Sequence, residues 1–211
     1  MNRERNASGI NSYEQEFKFK PEVFLKTYIE KYGQVKWLDL CCGQGKALIQ
    51  AATYLSEMNL QDHAILKGFD LIDTFLNIPP AVKCLDFEVK SVVDWSSEDK
   101  YDLITCVHGI HYVGDKLKVL QLAFDSLNPE GIFIANLDLN NIEISGCKTE
   151  NYLKTIFKNK GIEYNPRTRI LKCTGPRNIH FDVYYKGASD EAGPNYTGQE
   201  AVTSFYDKIT D

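Results

Sequence analysis

The segment Trp37-Leu38-Asp39-Leu40-Cys41-Cys42-Gly43-Gln44-Gly45-Lys46-Ala47-Leu48 constrains the fold more than any other. An apolar strand ends in a glycine loop and runs straight into a helix. Such a turn sets bare backbone N–H groups at the carboxyl edge of a parallel sheet, where a ligand can lie against them. The next apolar run, Ile65 to Phe69, closes on Asp70. In a βαβ unit an acid at that place reaches the two hydroxyls of a ribose. Together the two features predict a sugar-bearing cofactor at the first crossover.

The rest of the chain repeats the alternation. Pro21 opens a helix that Gly33 ends, and a first strand covers Lys36 to Leu40. The helix after the glycine loop carries Leu48, Ala51, Ala52, Leu55 and Met58 on one stripe. Ala64 to Phe69 is a second strand, Ile72 to Ile78 a short helix stopped by Pro79-Pro80, and Cys84 to Val93 contains a third strand. Tyr101 to Val107 is a fourth, followed by a helix capped at Gly114-Asp115 with Leu117, Leu120, Phe124 and Leu127 facing inward. Asn128-Pro129-Glu130-Gly131 turns into a fifth strand, Ile132 to Leu137, and Lys148 to Asn159 is a helix. Arg169 to Thr174 and Ile179 to Tyr185 read as an antiparallel hairpin. Residues 1–12 read as a polar, mobile arm, and the tail as a loop over 187–199 with a short helix to about Ile209. The pattern predicts an α/β fold with a doubly wound, mostly parallel sheet and a closing hairpin. Its parts are an arm and helix over 1–35, a cofactor-binding domain over 36–186 and a tail over 187–211.

Composition removes several classes of function. The chain has 211 residues, 43% of them hydrophobic, enough for one domain with a full core. No stretch of about 18 apolar residues is present to span a membrane. The polar start Met1-Asn2-Arg3-Glu4-Arg5-Asn6 lacks the apolar core of a signal peptide, so a cytoplasmic protein is expected. Cys41, Cys42, Cys84, Cys106, Cys147 and Cys173 include no CxxC pair, and read as small buried thiols in a reducing compartment. Eight bases against two acids in residues 148–177 could hold an acidic partner, but the net charge of -5 argues against nucleic acid as the main one.

Taken together, the motifs resemble the class I S-adenosylmethionine-dependent methyltransferases over roughly residues 36–185. Leu38 to Gly45 looks like the family's first motif, and Asp70 falls at its ribose-binding acid. Leu127-Asn128-Pro129-Glu130-Gly131 resembles its turn before strand five, and the closing hairpin its last two strands. The resemblance implies a Rossmann-like, seven-stranded sheet with S-adenosyl-L-methionine as cofactor and S-adenosyl-L-homocysteine as product. It places Asp39, Cys41, Gly43, Gly45, Asp70, Leu71 and His108 on the cofactor. For the adenine it implies Ser91 and Val92, with Asp94-Trp95 as the competing alignment. Cys41 stands where the family has its first glycine.

Methyl transfer from a sulfonium requires mainly alignment and exclusion of water, with a base only for a protonated acceptor. The turn Val107-His108-Gly109-Ile110-His111-Tyr112-Val113 lies, by resemblance, beneath the sulfonium and toward the acceptor. It lacks the Asn/Asp-Pro-Pro-Tyr/Phe pattern of enzymes that methylate DNA bases and glutamine. His111, ahead of His108, is the candidate base; packing is the alternative role for both. Asp39 orients the loop or the methionine amine, or caps the following turn. Asp138, Asn140 and Asn141 carry oxygen ligands after strand five, but the metal-dependent branch also wants an acid where this chain has His108, so no metal is expected. Tyr13, Phe17, Tyr112, His111 and Tyr196 are the candidate acceptor contacts, with Phe19 beside Tyr13 and Phe17 in an aromatic lid. The resulting reading is methyl transfer to O or N of a small molecule. The rivals are a methyltransferase of RNA or protein using the basic segment, and a non-catalytic binding module on the same scaffold.

Overall fold

Apolar residues alternate along the central strands, and the two halves of that alternation bury different helices. The computed structural model describes residues 4–96, 98–195, 198 and 200–209. Strands β1 (Val35–Leu40), β2 (Ala64–Asp70), β3 (Leu85–Val89), β4 (Tyr101–Cys106) and β5 (Leu127–Asn136) are all parallel. Trp37, Leu66 and Leu103 face one side, where helices α2 (Pro21–Tyr32) and α3 (Lys46–Glu57) cover them with Leu25, Ile29, Leu48, Ala51 and Leu55. Leu38, Leu40, Ile104 and Cys106 face the other, under α4 (Lys116–Asp125) and α5 (Thr149–Asn159). The period of two in each strand thus makes a three-layer sandwich.

Strand order is β3-β2-β1-β4-β5-β8-β7, with β7 (Glu163–Asn165) and β8 (Ile170–Thr174) added antiparallel at the β5 edge. The chain leaves β1 and β4 toward opposite sides of the sheet, so their carboxyl ends open a crevice where ligands bind in such folds.

The closing hairpin exists with other members than the sequence suggests. Ile170–Thr174 pairs back onto Glu163–Asn165 through Arg169, whose φ of 56° makes the tight turn. Val183–Ser189, β9, instead joins a second sheet of order β6-β10-β9, with β6 (Ile142–Ser145) and β10 (Thr203–Lys208). The tail is therefore a strand where a helix was expected. Thr203, Ser204 and Tyr206 are buried in it, and its backbone pairs on both sides. Ile72 to Ile78 is irregular rather than helical, tied to the glycine loop by Leu76 N–H donating to Gln44 O at 3.0 Å. Met58 ends α3 on the solvent side. The described part of the arm is packed: Ala7 is buried, and its N–H donates to Gln50 Oε1 at 2.8 Å. Among the described residues no helix is long and apolar enough to cross a membrane.

Lys116 fastens the second sheet to the first. Its side chain is fully buried, and Nζ donates to Val113 O at 2.8 Å, Val202 O at 2.5 Å and Ser204 Oγ at 3.1 Å. Burial pulls its pKa down from the usual lysine value to about 7. Between about pH 7 and 10.4 the unfolded chain then binds more protons at this site than the folded one, so stability rises with pH over that window. In thermal melts across that range the wild type should gain relative to Lys116→Met, at about 1.4 kcal/mol per unit of pKa difference. A constant difference between the two proteins would show that folding does not lower the Lys116 pKa.

Candidate active site

The turn after β1 is built from left-handed residues. Cys41, Gly43 and Gly45 have φ of 56°, 61° and 74°. Gly45 begins α3, and a Cβ there would lie 2.2 Å from the Phe87 ring, so only glycine lets the helix start so close to β3. Cys41 adopts its positive φ without being glycine, at a cost of roughly 1–2 kcal/mol. Asp70 ends β2 directly opposite. Its Oδ2 accepts from Gly43 N–H at 2.8 Å and its Oδ1 from Ile72 N–H at 3.3 Å.

Above this edge lies a cavity of about 320 Å³. Cys41, Cys42, Gly43, Asp70, Leu71 and Ile72 form one end, Lys90, Ser91, Val92 and Val93 the side, and Val107, His108, Gly109, Tyr112, Val113 and Gly114 the other end, with Arg5 and Tyr13 above. The floor is tight. A Cβ on Gly109 would stand 2.3 Å from Cβ of Cys41 and 2.9 Å from Sγ of Cys106.

The segment after β4 turns through His108, left-handed at φ 57°, into a single 3₁₀ turn over Gly109–Tyr112. Asn136 Oδ1, from β5, accepts the His108 backbone N–H at 3.2 Å. His108 lines the cavity, with its Nε2 3.2 Å from Glu16 Oε1, and the same oxygen accepts from Arg5 Nη1 at 2.9 Å. Three residues on, His111 is off the cavity wall. It is fully buried, with its ring centre 5.7 Å from that of His108, and its carbonyl accepts from Val202 N–H of the tail at 2.8 Å. Burial, with His108, Lys116 and Arg169 adding to it, pulls its pKa down to about 3, so the ring is neutral at working pH.

Asp39 lies beneath the loop rather than on the cavity wall. Tyr13 Oη donates to its Oδ2 at 2.6 Å and Thr105 Oγ1 to its Oδ1 at 2.5 Å. Burial raises its pKa to about 7 despite those two donors. The bond from Tyr13 anchors α1 (Tyr13–Phe17) onto β1, and so roofs the cavity with the N-terminal segment.

Residues 4–184 match the model of the methyltransferase-domain family. The chain belongs to the class I S-adenosylmethionine-dependent methyltransferases. S-adenosylmethionine is accordingly its cofactor. Solved structures similar to this methyltransferase include the plantazolicin methyltransferase BpumL in complex with SAH. That match has 20% identity and a TM-score of 0.41 over 70% of this chain and 52% of that one. An S-adenosylmethionine-dependent methyltransferase from Mesorhizobium loti matches at 22% identity and TM-score 0.40, over 54% of this chain and 51% of that one. YjhP from E. coli matches at 20% and 0.40, over 54% and 46%. The alignments thus span about half of each of those chains. No curated protein matches the sequence.

Of the residues singled out from the sequence, the fold of the methyltransferase brings Cys41, Gly43, Asp70, Leu71, Ser91, Val92, His108, Tyr13 and Tyr112 to one cavity. Of the competing adenine alignment, Trp95 packs into the core. Gly45 supports the loop from behind, and Asp39 braces α1. Phe17 turns away from the cavity into the hydrophobic layer of α2 and α3. Tyr196 lies outside the described residues. The carboxylate of Asp138 is engaged by Arg169 Nη1 at 2.7 Å and Asn140 N–H at 3.1 Å. Sequence reasoning missed Arg5, Glu16 and Lys90. The first sits in what reads as a polar arm, and no local pattern marks the other two.

Proposed function

We propose that the chain moves a methyl group from S-adenosylmethionine to O or N of a small-molecule acceptor, with His108 rather than His111 at the acceptor. The observation that carries this reading is a single cavity whose wall runs from Gly43 and Asp70 to His108 and Tyr112. Its volume lies near the lower end of the roughly 300–1,000 Å³ of small-molecule sites.

The residues present suit the cofactor. Asp70 retains lone pairs beyond those used by Gly43 and Ile72, and these would hold the ribose hydroxyls. The glycine loop would take the methionine part, and Ser91 and Val92 would flank the adenine. The cofactor supplies a methyl group on a sulfonium, which needs only an aligned nucleophile. Val92, Val93, Val107 and Val113 line the cavity and would exclude water. Arg5, Tyr112 and His108 provide the polar groups that would orient the acceptor, and His108 would hold the proton of one that arrives protonated. His111 would support the turn from behind.

The test is mass spectrometry on panels of small acids, phenols and amines incubated with S-adenosylmethionine carrying a deuterated methyl group. A deuteromethylated small molecule is expected. With a protonated acceptor, His108→Asn should be slower by about 10²–10⁴-fold, and His111→Asn should not. Label appearing only in RNA or protein would overturn the small-molecule reading, and equal rates in all three proteins would remove the base.

A further inference from the structure

We infer that Glu16 of the N-terminal helix is a positioning residue for His108, fixing the tautomer and direction of the ring that faces the acceptor. The inference rests on the reading of His108 given above. Three independent restraints meet at this ring. Its backbone N–H is held by Asn136 from β5. Its backbone is fixed in the left-handed region at φ 57°, at the start of the 3₁₀ turn. Its Nε2 meets Glu16 Oε1 at 3.2 Å, with the His108 side chain only 14% exposed and that of Glu16 28%.

A carboxylate accepts hydrogen bonds and cannot donate one. In the neutral ring, Glu16 therefore selects the tautomer with the proton on Nε2 and the lone pair on Nδ1. Which ring nitrogen carries the proton is set by the hydrogen bonds the ring makes, so such a partner decides which nitrogen is left to take one. The hydrogen bond from His108 also holds the Glu16 carboxyl below the usual carboxylate range, with the nearby Arg5 acting in the same direction. Partial exposure screens the Coulomb attraction, so direction rather than binding energy is what the pair supplies.

Glu16 reaches the ring because Tyr13, on the same short helix, is anchored to Asp39. Arg5 then holds the carboxylate from the outer side, Nη1 to Oε1 at 2.9 Å. The N-terminal segment thus contributes a side chain to the working part of the site as well as a roof.

Long-range ¹H–¹⁵N correlation spectra of the imidazole rings test this without an acceptor. They would be recorded on the full chain with S-adenosylhomocysteine, above the usual imidazole titration range, with His108 identified by the signals lost in His108→Asn. The wild type should show one tautomer, protonated on Nε2. In Glu16→Gln those signals should move toward a mixture of tautomers, while S-adenosylhomocysteine affinity stays within about twofold. A wild-type ring protonated on Nδ1 would overturn the inference whether or not the variant folds, as would unchanged His108 signals in Glu16→Gln. If the spectra behave as expected but His108→Asn methylates at the wild-type rate, the base reading fails and the positioning stands.

Discussion

Asp70→Ala should bind S-adenosylhomocysteine at least tenfold more weakly than the wild type in calorimetry. The carboxylate is buried at the end of β2, on the cavity wall, and already organises the loop through Gly43 N–H at 2.8 Å. Hydrogen bonds to a charged acceptor contribute about 1.5–3 kcal/mol each, so loss of the ribose contacts alone costs about one to two orders of magnitude in affinity. The alanine also strands the Gly43 N–H and loosens the loop that would carry the methionine part. Asp70→Asn separates the two effects. Its amide oxygen can still accept from Gly43 while the charge is gone, so it should fall between alanine and wild type. Equal affinities across the three proteins would remove Asp70 from the cofactor site.

Gly109→Ala should lose roughly two orders of magnitude in single-turnover methyl-transfer rate, through a single methyl group that need not touch the ligand. The new Cβ would stand 2.3 Å from Cβ of Cys41, and neither atom can rotate away because both are fixed to backbone. One wall of the cavity must therefore move by an ångström or more, and displacements of that size at an aligned site cost on the order of 10²-fold in rate. The remedy is specific. Cys41→Gly removes the opposing Cβ at a position whose φ of 56° suits glycine. Gly109→Ala combined with Cys41→Gly should recover much of the rate, held short of full recovery by the Cys106 sulfur 2.9 Å away. A double variant no better than Gly109→Ala would show that the damage lies elsewhere. The contact also gives the cysteine in the first motif a physical meaning: its side chain forces a glycine onto the facing turn.

The local architecture was legible because its causes are local. Pro21 and Gly33 bound α2, Asp115 caps α4 by accepting Lys118 N–H at 3.1 Å, and Leu48, Ala51, Ala52 and Leu55 mark the buried stripe of α3. The strand-loop-helix turn and Asp70 announced the cofactor edge, since positive φ and bare N–H groups follow from a few adjacent residues. Strand partners were not legible in the same way. Ile170–Thr174 and Val183–Ser189 each look like strands, but a period of two says which residues share a face and not which neighbour they join. Ile170–Thr174 pairs with Glu163–Asn165 and Val183–Ser189 with the tail, pairings that join segments by their place in the tertiary fold.

The acceptor side shows the same division. The sequence placed two histidines after β4, and its reading set His111 ahead of His108 with nothing to show which is buried. Across a left-handed residue and a 3₁₀ turn, His108 comes to line the cavity while His111 is buried, where burial keeps it neutral. Arg5 and Glu16 carry no motif and reach His108 only because Tyr13 finds Asp39 across the fold. Family, cofactor edge and helix boundaries are thus properties of neighbouring residues, set by periodicity, turn chemistry and caps. The placement of His108 on the cavity wall, the carboxylate beside it and the strand made by the tail arise from contacts between distant segments, which exist only after the core has closed and fixed which side chains can meet.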